Sequence, residues 1–187
     1  VIRSARGGPW SEAATWEGGK VPPAASRVQI RTGHTVVYDV NSDRAVRSIH
    51  VAGTLTFARD RNTRLDTGLI RIAAGDDATE EGFDCDAHAV KPEADKPRPV
   101  LEVGSPQQPI PAKYTALIRL TAVTGLDKQS CPAIVCCGGH MDFHGTPMNR
   151  TWVRLAATAK KGDTAIVLSE PVNGWKVGDR IIITATG

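Results

Sequence analysis

Short apolar runs bounded by turn residues recur along the whole chain. Val28-Gln-Ile-Arg31 runs into Gly33, Thr35-Val-Val-Tyr-Asp39 follows, and Gly53 separates Arg47-Ser-Ile-His-Val51 from Thr54-Leu-Thr-Phe57. Gly68-Leu-Ile-Arg-Ile-Ala73, Val100-Leu-Glu-Val103, Tyr114 to Leu120, Ile134 to Cys136 and His140 to His144 continue the pattern, as do Thr151 to Leu155, Thr164 to Leu168 and Arg180 to Ala185. Each run is strand-length and none carries a long helical period, which leaves a sandwich, a barrel or a β-solenoid.

Spacing chooses among these. Paired strands of a sandwich need tight Asn-Gly or Asp-Gly turns, and Asn173-Gly174 is the one such dipeptide in the runs. Val46 to Val51, Leu55 to Phe57, Leu69 to Ile72, Leu101 to Val103 and Leu117 to Leu120 instead read as successive rungs, each supplying a few inward aliphatics. Rungs stacked about 4.8 Å apart would bury a continuous aliphatic column, as in a parallel β-helix. Composition agrees: of 187 residues, 17 are Val, 12 Ile and 17 Thr, while aromatics make up 5%. β-Branched side chains favour a pleated backbone, and a narrow lumen has little room for rings. The fold class expected is all-β.

Two segments interrupt the rungs. Residues 74–99 have no periodicity, three prolines and a crowd of acids (Asp76, Asp77, Glu80, Glu81, Asp84 and Asp86), so a long inserted loop is expected there. Thr121 to Pro132 is a shorter one. Residues 1–27 are expected to cap the N-terminal end, with Trp10 and Trp16 covering the column. The alternative for both is an exposed sugar-stacking platform, and Trp152 and Trp175 invite the same two readings, packing being favoured. The chain opens at Val1 and ends on Arg180-Ile-Ile-Ile-Thr-Ala-Thr-Gly187, a strand that simply stops. The expectation is one β-helical domain over 1–187, a fragment of a longer protein, with 146–187 beginning further coils.

With 23 basic against 20 acidic residues the charge is near balance, which argues against a nucleic-acid partner, and no apolar run is long enough to span a bilayer. Arg59, Arg61 and Arg64 form a local basic cluster, read as a solvated face, with sulfated or carboxylated polymer as the sharper option. Four cysteines, Cys85, Cys131, Cys136 and Cys137, fit no zinc knuckle and allow three disulfide pairings. A Cys85–Cys131 bridge would staple both insertions. Asn149-Arg-Thr151 is a glycosylation sequon. An even cysteine count and a sequon fit a secreted or surface protein.

The ordered succession of motifs resembles the G8 (eight-glycine) domain. Its opening is matched by Pro9-Trp10-Ser11, Thr15-Trp16-x-Gly18-Gly19-x-Val21-Pro22, Val28-x-Ile30-x-x-Gly33-x-x-Val36-x-x-Asp39 and Ile49-x-Val51-x-Gly53-x-Leu55-x-Phe57. Its continuation is matched by Leu101-x-Val103-Gly104, Pro109, Ile118-x-Leu120, Met141-Asp-Phe-His144-Gly145, Trp152 and Leu155. Ala159-x-x-Gly162-Asp163 and Trp175-x-x-Gly178-Asp179-x-Ile181 resemble the segment that follows the domain in cell-surface hyaluronidases of the cell-migration-inducing and transmembrane-protein-2 type. The resemblance implies a right-handed parallel β-helix in an extracellular protein linked to polysaccharide, above all hyaluronan. Fibrocystin-like receptors share the domain without established hydrolysis, so membership confers no activity. The acidic insertion and the Cys131 to Cys137 stretch depart from the family pattern.

Three function classes follow. The principal one is an extracellular module that binds or positions carbohydrate for a larger protein. Its candidate ligand residues are His140, Asp142 and His144, which strand alternation puts on one polar ledge opposite Met141 and Phe143. A second is a zinc or copper domain, in which Cys85 and His88 fold over the ledge to join His140 or His144. A third is a fragment of a glycosaminoglycan-degrading enzyme. Glycosidases need two facing carboxylates. Asp142, Glu102 and Asp179 are the carboxylates in or beside strands, and the sequence brings no two of them together. Asp163 and Asp179 sit in Gly-Asp turns and read as turn residues, and His34 and His50 have no partner legible in the sequence.

Overall fold

The computed structural model describes residues 1–75, 80 and 97–184. Eleven strands form among them: β1 (Ile2–Arg3), β2 (Gly8–Pro9), β3 (Arg27–Ile30), β4 (Thr35–Tyr38), β5 (Asn41–Val51), β6 (Thr54–Phe57), β7 (Thr63–Ala73), β8 (Val100–Val103), β9 (Ala116–Leu120), β10 (Ala133–Cys137) and β11 (His140–Phe143). Among the described residues, helix is confined to two three-residue 3-10 turns, Ala13–Thr15 and Glu17–Gly19. The fold is all-β, as expected. The chain divides into two units, Val1–Gly145 and Thr146–Gly187.

Among the described residues of the first unit, every pairing between these strands is parallel. Sheet one runs β1-β3-β5-β7-β10, with β9 also on β7, and sheet two runs β2-β4-β6-β8-β11. From β1 to β8 the chain visits the two sheets in strict alternation, and β10 and β11 repeat the step. Parallel neighbours require the chain to leave a sheet and return before pairing again, which the scarcity of tight hairpin turns already implied.

In-register pairing stacks like residues. Val28, Ile49 and Ile70 form one column and Ile30, Val51 and Ile72 the next, while Val36, Leu55 and Leu101 form a third in sheet two. All nine are at most 1% exposed. Each such burial stabilises the fold by about 1.5–3 kcal/mol as an upper bound. Met141 and Phe143 extend the sheet-two columns in register with Leu101 and Val103, yet they are 41% and 52% exposed. The register keeps them on the face of Leu101 and Val103, but the inward burial that alternation predicts is not met: on the last strand of the sheet both are exposed.

Residues 1–27, expected as a cap, carry strands of their own. β1 and β2 already pair into the two sheets, on β3 and β4. Trp10 and Trp16 are 3% and 2% exposed, which removes them as sugar platforms. Their rings meet edge-on at 4.8 Å, and an aromatic row continues from Trp10 to Tyr38 at 5.1 Å and to Phe57 at 5.3 Å. The Trp16 indole N–H donates to the Trp10 carbonyl at 2.8 Å, which satisfies the one polar atom that burial would strand.

β7 pairs with β5 and with two further strands, β9 along Thr63 to Thr67 and β10 along Leu69 to Ala73. Gly68 is the joint. A Cβ there would stand 2.4 Å from Leu126 Cδ1 and 2.9 Å from the Arg47 carbonyl, so only glycine lets the 121–132 segment lie against the strand. Leu126, 8% exposed, seals that contact.

In the second unit no named strand forms among the described residues, although its composition predicts three. Leu155 and Leu168 make an isolated antiparallel bridge, flanked by backbone bonds from Ala156 to Val167 and from Ser169 to Arg154. A β-rich segment becomes a strand only where a neighbour takes its backbone groups. Asp163 and Asp179 cap turns by accepting from the Lys160 and Lys176 amides, as read from the sequence.

Candidate ligand-binding ledge

Alternation on β11 puts His140 and Asp142 on the outer face of sheet two, and His144 follows with the same parity. The three side chains meet. His140 Nε2 donates to Asp142 Oδ2 at 2.9 Å and His144 Nε2 to Asp142 Oδ1 at 3.3 Å, so one carboxylate is held from both sides. Residues two apart on a strand face are only about 7 Å apart at Cα, close enough for both imidazoles to reach the aspartate between them. The hydrogen bonds from His140 and then His144 hold the Asp142 carboxyl below the ordinary carboxylate range. His140 is exposed, and Asp142 and His144 are half-buried.

The neighbouring strands widen the ledge. Glu102 on β8 is the register partner of Asp142, and Thr56 on β6 is that of Glu102. Thr56 Oγ1 donates to Glu102 Oε1 at 3.4 Å. A strip of Thr56, Glu102 and Asp142 thus crosses three strands at the inter-strand spacing of about 4.8 Å, with an imidazole on each side of its last member. The sequence alone places Glu102 in a strand without a partner carboxylate. Only the register between β8 and β11, separated by the 104–139 stretch, brings the two together. Backbone bonds fix the corner: the His144 amide donates to the Val103 carbonyl and the Ile110 amide to the His144 carbonyl, both at 2.8 Å. The arrangement offers two carboxylate acceptors, two imidazoles and a hydroxyl on one rigid surface, a set suited to hydroxyl-rich ligands.

Other expected residues fall elsewhere. Cys85 and His88 lie outside the described residues, and among the described ones no group of three or more His, Cys, Asp or Glu side chains is arranged to hold a metal ion. Cys131 has a free thiol, so the Cys85–Cys131 pairing is corrected. Cys131 is held by its amide bond to the Asp127 carbonyl at 2.8 Å, and burial is the main cause that raises its thiol pKa. Asn149 is exposed, but its amide is engaged on both atoms, donating to the Pro171 carbonyl at 3.0 Å and accepting from the Asn173 amide at 2.7 Å. Trp175 donates to the Arg150 carbonyl, whereas Trp152, for which packing is the favoured expectation, is 72% exposed.

The basic cluster is absorbed locally. Arg61 pairs with Asp60, Arg64 pairs with Asp66, and Arg59 donates to the Pro109 carbonyl and to Gln108 Oε1. His34 Nδ1 lies 2.8 Å from the hydroxyl of the buried Ser4, and His50 Nε2 lies 3.0 Å from the Gly75 carbonyl. No helix among the described residues is long and apolar enough to cross a membrane.

The chain is similar to longer proteins. It is 29% identical to human fibrocystin-L over 181 residues, which is 95% of this chain and 4% of that protein. It is 24% identical to dog fibrocystin over 172 residues, 89% of this chain and 4% of that protein. A G8 domain-containing protein of Dictyostelium discoideum is 38% identical over 52 residues, 28% of this chain and 5% of its own length. The chain therefore spans only about a twentieth of the length of these relatives. No solved structure matches it. The model of the G8 domain matches residues 15–156, the stretch that holds all the strands from β3 to β11 and the whole ledge, and the chain belongs to the G8 domain family.

Proposed function

We propose that this chain is an extracellular G8 module that binds or positions polysaccharide for a larger secreted or surface protein, with the outer face of sheet two as its ligand surface. The observation that carries the reading is the strip of Thr56, Glu102 and Asp142, with His140 and His144 bonded to Asp142. Sugar hydroxyls both donate and accept, so a ligand surface for them needs fixed acceptors and donors side by side at the spacing of a saccharide chain. Parallel strands in register supply that spacing, and the buried columns behind them hold it rigid. We read the alternation of the chain between two parallel sheets as a right-handed parallel β-helix. That architecture turns one outward residue per coil into a continuous linear surface. The similarity to fibrocystin-L and fibrocystin supports the placement within a much longer chain.

The test is a binding titration against a panel of glycosaminoglycans and neutral polysaccharides, with the chain-length distribution of each polymer followed in the same samples. Binding that weakens in His140→Ala, Asp142→Ala and Glu102→Gln while the fold is retained supports the reading. Binding unaffected by all three refutes it. Shortening of a polymer that stops in Glu102→Gln would move the assignment to a depolymerase using the adjacent carboxylates.

A further inference from the structure

On the outer side of sheet one, away from the ledge, a single carboxylate is held by an unusual number of donors. Glu80 accepts from Arg27 at 2.6 Å, from Arg47 Nε at 3.0 and 3.1 Å and from the Ser48 hydroxyl, and its side chain is 8% exposed. Glu80 is the one described residue between Gly75 and Pro97, so it reaches this place from outside the strand framework.

The backbones of the donors, by contrast, are fixed without it. Arg27 and Ser48 are register partners on β3 and β5. Arg47 is clamped by two other acceptors, donating from one terminal nitrogen to the Thr124 carbonyl at 2.7 Å and from the other to the Gly125 carbonyl at 2.8 Å. Gly125 has φ +87°, and a Cβ on it would stand 2.9 Å from the Arg47 guanidinium. The turn at 124–125 is thus shaped to hold that guanidinium with its Nε edge toward Glu80. Two guanidiniums and a hydroxyl thus converge on one point from β3 and β5, and the Arg47 guanidinium is clamped there by bonds that do not involve Glu80. Glu102 and Asp142 sit on the other sheet and take no part in it.

We propose that Arg27, Arg47 and Ser48 form a preformed carboxylate-binding site which Glu80 occupies as an intramolecular ligand, so that a carboxylate-bearing ligand binds there only when Glu80 is withdrawn. Glu80 is then an autoinhibitory contact, and the ligand class is defined by the cradle: one planar carboxylate delivered to two guanidiniums. The site is independent of the polysaccharide ledge and stands or falls without it.

The experiment compares the full chain with its Glu80→Ala variant for binding of acetate, glucuronate and N-acetylglutamate, by titration and by ligand-dependent thermal unfolding. Glu80→Ala is expected to bind acetate at least about tenfold more tightly than the unaltered chain, and Arg27→Gln in that background to cancel most of the gain. Chloride at the same concentration serves as the control anion. Glucuronate and N-acetylglutamate separate a sugar-borne from a side-chain carboxylate. If Glu80→Ala is unfolded alone, recovery of the folded signal on adding carboxylate, but not chloride, is the same positive result. A folded Glu80→Ala variant that ignores all three carboxylates overturns the proposal, as does equal binding by the unaltered chain.

Discussion

Glu102 and Asp142 are register partners on neighbouring parallel strands, so two carboxylates share one outward row of sheet two. Asp142 is the one that both imidazoles hold. Replacing it with Asn removes the charge and one of the two acceptor oxygens, so one imidazole loses its partner, whereas Glu102→Gln leaves both imidazole bonds in place. Asp142→Asn is therefore expected to lose about tenfold or more in polysaccharide affinity, and Glu102→Gln less, with unfolding temperatures little changed for either because both groups face outward. Affinity measurements paired with thermal unfolding check this.

The column positions give a graded stability prediction. Leu101 is fully buried and Met141, its register partner, is 41% exposed. Leu101→Ala is expected to cost about 2–5 kcal/mol, and Met141→Ala clearly less, because a half-covered side chain leaves no closed cavity. Denaturant unfolding of the two variants decides it.

Acid should act through Asp66. Its carboxylate side chain is 5% exposed and pairs with Arg64 at 2.8 Å, and that hydrogen bond lowers its pKa. A carboxylate with a lowered folded-state pKa contributes stability above its unfolded value of about 3.9, and that contribution disappears as pH falls through the folded-state value. Stability is thus expected to fall below about pH 4, and Asp66→Asn to be less stable at neutral pH with a shallower acid limb. Urea midpoints at a series of pH values read this out.

Fluorescence separates the tryptophans. Trp10 and Trp16 are buried and Trp152 is 72% exposed, so iodide should reach Trp152 first. Trp152→Phe is expected to remove most of the iodide-quenchable emission and leave the buried fraction intact. Unchanged quenching would mean that Trp152 is covered in solution.

The aliphatic runs made the all-β class legible, because a β-branched residue at every second position leaves the pleated strand as its only economical state. They also marked Val46 to Val51 and Leu69 to Ile72 as rungs with inward aliphatics, where Ile49 and Ile70 are buried, and the grouping of His140, Asp142 and His144 on one ledge followed from alternation alone. Register was not legible. Nothing local couples Glu102 to Asp142, since their pairing depends on where β8 and β11 fall after an intervening excursion through β9 and β10. Glu80 shows the same limit: in the sequence it is one acid among several, and only the fold delivers it to Arg27 and Arg47. The runs from Thr151, Thr164 and Arg180 have strand composition, but strand formation also depends on a neighbour, which composition does not encode. Trp10 and Trp152 look alike in sequence and differ entirely in exposure, because packing around an indole is set by distant strands.

The most direct measurement is a residue-resolved NMR titration of the full chain with oligosaccharides of the best-binding polymer. The largest shifts are expected at Thr56, Glu102, His140, Asp142 and His144, in one contiguous strip on sheet two, with the buried columns unmoved. Saturable binding whose shifts lie wholly outside that strip would contradict it.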